Sequence, residues 1–403
     1  MNCAEFSRPG PDKTLGCVYS IVVQGILNPM LPNAIPNSDS SGSEKMNSSL
    51  NSRIRVLVVD DSVLMSRQIA NILGDDEKLE VVGRAKDGME ALAMVEALKP
   101  DVVTMDVEMP RMNGITALKH IMVRYSIPTV MISALTTEGA RTTFDALKYG
   151  AIDVIAKPSR REDESLDAQK ADIISKVKRA ASIRTGRSRY IRMPQATQAQ
   201  EKNSRGLADE QTRFIGMAAG TGGYYALLRI IPALSTSFQD ILVAMLLVSN
   251  RYVAPFVAYL DSHSSVPVKA ARTVITPEKG VCYICSGEDG LVLAADSRGR
   301  FTFKLGAGSS NGGEHPADNL LRSLTACKTK PVGVVMTGSG TAGANGLHSL
   351  RRAGGIGVVQ DINNCLDPQM PLAALERDAA EKVLPDYLMA EFLTRLGYRD
   401  GRN

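Results

Sequence analysis

The strongest constraint on this chain's fold is a rhythm that begins at Ile54. A short apolar run, Ile54-Arg55-Val56-Leu57-Val58-Val59, is closed by Asp60-Asp61 and followed by a helical period through Leu64, Ile69 and Leu73. A run of that length between turn residues predicts a strand, and the 3.6-residue spacing behind it predicts a helix. The alternation recurs. Leu79–Val82, Asp101–Met105, Thr129–Ile132 and Ile152–Ile155 read as strands, with helical stretches around Gly88–Leu98, Ile115–Arg124 and Thr137–Tyr149. Five such units predict a parallel, doubly wound sheet that presents ligand-binding groups at the carboxyl ends of its strands. From Phe214 a second series begins, with strands at Phe214–Ala219, Ile241–Val248, Val332–Met336 and Ile356–Gln360. The expected fold class is therefore α/β, with two doubly wound parallel-sheet domains over 53–160 and 213–403. Between them, 161–212 reads as a charged helical stretch followed by a polar linker. A chain of 403 residues has room for two such cores.

The remaining sequence excludes several function classes. Residues 1–52 read as a disordered extension ending in the Ser/Asn-rich run Asn37 to Ser52, with Met46 as an alternative start. Its apolar stretch Cys17 to Leu27 is too short to span a bilayer, and Pro29, Pro32 and Pro36 stand where a signal-peptide cleavage site would belong. The six cysteines, Cys3, Cys17, Cys282, Cys285, Cys327 and Cys365, are scattered rather than spaced as a disulfide framework, which fits a reducing cytoplasm. Cys282 and Cys285 sit in an apolar run and read as strand residues rather than a zinc or redox pair. A formal charge of +4 gives no case for nucleic-acid binding. The basic run Lys176, Lys178, Arg179, Arg184, Arg187, Arg189 and Arg192 could touch nucleic acid, but with only Tyr190 to stack on a base it reads better as a solvated linker.

The chemistry concentrates at the strand ends of the first domain. Asp60 and Asp61 end its first strand and Asp106 its third. Carboxylates crowded at one edge repel unless a hard cation neutralises them, and Mg²⁺ accepts a few carboxylates together with water and phosphoryl oxygens. A metal there makes Asp106 a plausible nucleophile toward a phosphodonor. Lys157 would pair with the resulting acyl phosphate, and Ser133 would hydrogen-bond one of its oxygens. A lone aspartate more often caps a helix, but five polar groups ending four strands of one sheet argue for a site.

Val59-Asp60-Asp61-Ser62, Met105-Asp106-Val107-Glu108-Met109-Pro110, Met112-Asn113-Gly114, Ser133-Ala134 and Lys157-Pro158 resemble the motifs of two-component receiver domains. The resemblance implies that Asp60, Asp61, Asp106 and the backbone carbonyl of Glu108 hold Mg²⁺, and that Asp106 takes a phosphoryl group from a histidine kinase. One departure is Val154, where many receivers carry an aromatic three residues before the lysine.

The second domain resembles the catalytic domain of the chemotaxis receptor methylesterase family (CheB-type), which joins it to a receiver through such a linker. The resemblance rests on Phe214-Ile215-Gly216-Met217-Ala218-Ala219-Gly220-Thr221-Gly222-Gly223, Val334 to Gly343, Val358-Val359-Gln360-Asp361 and Met370-Pro371-Leu372-Ala373-Ala374-Leu375. Members hydrolyse methyl esters of receptor glutamates, and often deamidate receptor glutamines, with a Ser-His-Asp triad. Those three positions fall here on Gly220, Leu247 and Ala342. Further departures are Cys285-Ser286-Gly287, where the family has Ala-Pro-Gly, and Gln369, where it has glycine. Chemistry of this kind needs a nucleophile, a base and a group to orient the base, and Gly, Leu and Ala supply none of them. The expectation is a chemotaxis response regulator, with a histidine kinase and chemoreceptor cytoplasmic domains as partners, whose second domain binds rather than hydrolyses. The alternative is an active methylesterase/glutaminase rebuilt around Thr221 or Ser339 with His263, His315 or His348.

Overall fold

In a computed structural model the described residues are 53–134, 137–158, 165–183, 191, 206–271, 274–298, 300–305 and 314–399. The expectations for 1–52 and for Arg184, Arg187, Arg189, Tyr190 and Arg192 lie outside them.

The first sheet has five parallel strands: β1 (Ile54–Val59), β2 (Leu79–Ala85), β3 (Val102–Asp106), β4 (Thr129–Ser133) and β5 (Asp153–Ala156), in the order β2-β1-β3-β4-β5. β3 and β4 are buried along their whole length, as strands covered by helices on both faces must be. The helices are α1 (Val63–Gly74), α2 (Gly88–Leu98), α3 (Gly114–Arg124), α4 (Thr137–Lys148) and α5 (Leu166–Ala181). Their starts are fixed by side-chain caps that satisfy the free N–H groups of the first turn. Ser62 accepts from Met65 N, Asp87 from Met89 N and Glu90 N, and Asn113 from Thr116 N. α5 packs against α1 and across β3, β4 and β5, so part of the segment with a linker-like sequence closes this first sheet.

The second sheet has seven parallel strands among the described residues. They are β6 (Phe214–Ala219), β7 (Ile241–Leu246), β8 (Val268–Ala270), β9 (Cys282–Ser286), β12 (Val332–Val335), β13 (Ile356–Gln360) and β14 (Lys382–Leu384), in the order β14-β13-β12-β6-β7-β9-β8. An antiparallel hairpin, β10 (Leu291–Ala295) with β11 (Phe301–Leu305), is added to it in sequence. The helices are α6 (Gly223–Ile230), α7 (Val253–His263), α8 (Pro316–Ser323), α9 (Ala344–Arg352), α10 (Gln369–Glu376) and α11 (Asp386–Arg399). No helix among the described residues is long and apolar enough to cross a membrane. Cys282 and Cys285 are buried free thiols on β9, and burial pushes both thiols up in pKa, so they are strand residues in the core.

The two sheets belong to one compact unit that starts at Arg53. Their contact is aromatic at its centre. Phe144 of α4 lies 5.1 Å from Phe256 of α7, 5.7 Å from Tyr259 of α7 and 5.7 Å from Tyr224 of α6, ring centre to ring centre. Such pairs contribute roughly 0.5–1.5 kcal/mol each beyond the area they bury.

Candidate functional site

Where β1 and β3 end side by side, carboxylate oxygens of Asp60, Asp61 and Asp106 lie within 4.8 Å of one another. Asp60 and Asp106 are buried and Asp61 is exposed. Asp106 Oδ1 accepts from the Val107 N–H at 2.8 Å, and Oδ2 accepts from Lys157 Nζ at 2.7 Å. The same ammonium lies 3.1 Å from Asp60 Oδ2, a buried oxygen without an aligned hydrogen bond of its own. Burial pushes Asp106 above the ordinary carboxylate range; the Lys157 ammonium opposes that push and the Asp60 charge adds to it. Burial would depress Lys157, but Asp106 and Asp60 outweigh it and hold the amine protonated. One cation for three acids leaves the cluster short of positive charge. An orphaned carboxylate oxygen beside two further acids is a donor set that fits a hard divalent ion.

The loops around the cluster are built tightly. Ser133 ends β4 and its carbonyl accepts from Lys157 N at 2.9 Å, which ties the serine to the lysine's backbone. Glu108 is exposed just beyond Asp106. Gly114 N donates to Val107 O at 2.9 Å, and a Cβ at Gly114 would fall 1.9 Å from the Asp106 carbonyl, so only glycine fits there. Arg111, at φ 62°, pairs with the buried Asp87 that caps α2, and so links the loop after β3 to the loop after β2.

At the corresponding edge of the second sheet, the residues that follow β6 and β7 are uncharged. Gly220 follows β6, and its N–H donates to Thr337 O at 2.8 Å. Leu247 follows β7, and its N–H donates to Ala219 O at 2.9 Å. A Cβ at Gly220 would meet Gly338 Cα at 3.0 Å, Met370 Sδ at 3.2 Å and Leu247 Cδ1 at 3.6 Å. The space in front of Gly220 is therefore occupied by apolar atoms. Gly222 (φ 83°) turns the chain into α6.

Residues 56–168 match the model for response regulator receiver domains, and 215–393 match that for CheB methylesterase. A protein-glutamate methylesterase/protein-glutamine glutaminase of Pyrococcus horikoshii is 38% identical over 344 residues, which is 83% of this chain and 90% of that protein. A protein-glutamate methylesterase/protein-glutamine glutaminase 1 of Geobacter sulfurreducens is 34% identical over 363 residues, 86% of this chain and 98% of that one. The chain belongs to the CheB methylesterase family.

The structure brings Gly220 and Leu247 together, on neighbouring strands, while Ala342 lies buried in the loop between β12 and α9. The turn's own hydroxyl, Thr221 Oγ1, sits 3.4 Å from Ser339 Oγ. Neither hydroxyl has a histidine partner among the described residues. His263 Nδ1 meets Tyr259 O at 2.9 Å and Ser262 Oγ at 3.0 Å at the end of α7; His315 caps α8 through Ala317 N; His348 is on α9. Gln369 reaches back to accept from Gly340 N at 2.9 Å, closing the loop that carries Ser339.

Sequence reading overlooked a second polar cluster, where β5 and α5 meet the second domain. Lys176, placed by its sequence in a solvated basic run, is 4% exposed and donates to Val154 O at 2.8 Å. Asp172 takes Arg251 at 2.9 Å and Tyr252 at 2.8 Å. The only signal was an acid four residues before a lysine on one helix, which cannot say which way the pair faces.

Proposed function

We propose that this chain is a phosphorylation-regulated response regulator of chemotaxis whose methylesterase-type domain binds without hydrolysing. The observation that carries the reading is the meeting of Asp60, Asp61 and Asp106 with a single ammonium, Lys157 Nζ, on Asp106 Oδ2. Asp106 Oδ attacks the phosphorus of a phosphohistidine on a kinase, the P–N bond breaks, and the imidazole leaves with the electron pair. Asp60, Asp61, Asp106 and the backbone carbonyl of Glu108 are the groups that would hold Mg²⁺, which when bound shields charge on the transferring group. Lys157 then pairs with the acyl phosphate, and Ser133 hydrogen-bonds a phosphoryl oxygen.

In the second domain, the residues assigned to the triad positions, Gly220, Leu247 and Ala342, offer no nucleophile, base or orienting acid. The tight contacts that a Cβ at Gly220 would make with Gly338 Cα and Met370 Sδ support the same reading. What remains is a surface for chemoreceptor cytoplasmic domains, in a cytoplasmic protein that competes with an active methylesterase or drains phosphate from the kinase. The activities for which the relatives are named make hydrolysis the rival reading, with Thr221 and Ser339 as its candidate nucleophiles. Purified full-length chain with methyl-labelled receptor, Mg²⁺ and a phosphodonor decides between them: no released methanol is expected, and turnover near that of a triad-bearing relative would overturn the proposal.

A further inference from the structure

Asp87 lies in the turn between β2 and α2, and although it is a carboxylate its side chain is only 1% exposed. Its Oδ1 accepts from Met89 N at 2.9 Å and from Glu90 N at 3.0 Å, which caps α2. The cap uses one oxygen. The other, Oδ2, is buried as well and faces the Arg111 guanidinium. A buried charge stripped of its counter-charge is strongly destabilising, so the carboxylate ties Arg111 to it. Arg111 sits at a φ of 62°, which a side chain rarely adopts unless its surroundings enforce it. A second bond joins the same two loops: Gly88 N donates to Met112 O at 3.1 Å, and a Cβ at Gly88 would fall 2.8 Å from that oxygen.

This bridge spans the acidic cluster. In the sheet order β2-β1-β3, the strand that ends in Asp60 and Asp61 lies between the two strands whose loops are joined. Asp60 N donates to Ala85 O at 3.0 Å, so the first acid is already tied to the end of β2. The loop after β3 is drawn tight at two points: Met112 N donates to Pro110 O at 2.7 Å, and Gly114 N to Val107 O at 2.9 Å. Glu108 lies in sequence between those two anchored carbonyls. A backbone carbonyl has no rotamer of its own with which to reach an ion. Its distance from the carboxylates is set by whatever holds the loop that carries it.

We infer that Arg111 is a positioning residue for the divalent ion at Asp60, Asp61 and Asp106. Paired with Asp87, it holds the loop after β3 where the Glu108 carbonyl can join the three carboxylates. The guanidinium acts through the loop, since its ion-pair partner is Asp87 and not one of the three acids. This rests on the reading of the cluster as a Mg²⁺ site.

The test is Mg²⁺ titrated by calorimetry into the full-length wild type, Arg111→Ala, Asp87→Asn and the double variant, with a thermal melt of each. Asparagine at 87 keeps an oxygen for the α2 cap while losing the charge, and the Arg111 side chain is 56% exposed, so the fold should survive both changes. Each single variant should bind Mg²⁺ about tenfold more weakly. The double variant should bind no more weakly than the weaker single one, because the two side chains act through one contact. Arg111→Ala is the deciding chain. If charge at a distance were the whole effect, removing this cation would tighten Mg²⁺ binding and removing the Asp87 anion would weaken it. Arg111→Gly, which relieves the positive φ, guards against a folding defect and should bind as weakly as Arg111→Ala. Opposite shifts in the two single variants, or unchanged affinity with a lowered melting temperature, overturn the positioning role and leave the metal site intact. A wild-type chain that binds no Mg²⁺ overturns both.

Discussion

Two parallel sheets in this protein present the same kind of edge, and the chemistry on the two edges is opposite. At the first, strand ends deliver Asp60 and Asp106 into a buried cluster with one ammonium for three carboxylates. At the second, the ends of β6 and β7 deliver Gly220 and Leu247 side by side, with Met370 against Gly220. Doubly wound topology offers a crevice at the carboxyl ends of strands in both cases. What can happen there depends on a few side chains the fold does not specify. Three acids meet one ammonium at the first edge, whereas apolar atoms close on Gly220 at the second.

The comparison breaks most sharply if the second edge still catalyses. With methylated receptor and a phosphodonor, the full chain is expected to release methanol about 10⁶-fold more slowly than a triad-bearing relative, since backbone donors and binding alone leave that deficit in other triad enzymes. A rate within about 100-fold of the relative, measured as released label, would mean that Thr221 or Ser339 has found a base.

The next largest effect belongs to the first edge. Asp106→Asn should reduce labelling by acetyl phosphate to background, and chelating Mg²⁺ from the wild-type chain should do nearly the same, because the carboxylates then repel the incoming phosphoryl group. Labelling that survives in the variant would place the acceptor elsewhere, with Asp60 and Asp61 the first positions to map.

The two edges also differed in how legible they were. β1 and β6 were readable to the residue, because each is a short, largely apolar run closed by turn-forming residues. β8 and β14 were not, since three residues carry no period. Charge misled at α5: Lys176 looks the same in sequence whether it faces water or Val154 O. The first site was legible because its groups are acids at strand ends. The bond from Ala156 N to Tyr252 Oη was not, because it spans 96 residues, and no local pattern announces such a contact.

A smaller effect tests the cluster between the domains. Burial pushes Asp172 upward, but Lys176, Tyr252 and Arg251 outweigh it and hold the carboxyl below its ordinary range. A depressed folded pKa gives stability that is present above the unfolded value, roughly 3.9, and is lost as pH falls through the folded one. The denaturation midpoint of wild type should therefore exceed that of Asp172→Asn near neutrality, and the gap should narrow as pH drops below about 4. A gap that stays constant down to about pH 3 would mean that Asp172 carries no pH-linked stability.

The smallest effect concerns the turn at Gly220. Gly220 does not adopt a positive φ, unlike Gly222, so a serine meets no backbone penalty there. The obstacle is space. Its Cβ would stand 3.0 Å from Gly338 Cα and 3.2 Å from Met370 Sδ. Met370 can move by a few tenths of an ångström, but Gly338 is held by its N–H bond to Asp367 O at 2.9 Å. Overpacking of this degree costs about 1–3 kcal/mol, and the lower end is expected because one of the two neighbours is flexible. Gly220→Ser should lower the urea midpoint modestly and produce no methanol, since triad members act as a unit and Leu247 cannot take the serine's proton. Adding Leu247→His and Ala342→Asp should recover little, because restored groups need supporting partners to hold them in productive geometry. Rapid ester hydrolysis by the triple variant would show that the second edge kept a preorganised pocket, and the contrast between the two edges would then reduce to three substitutions.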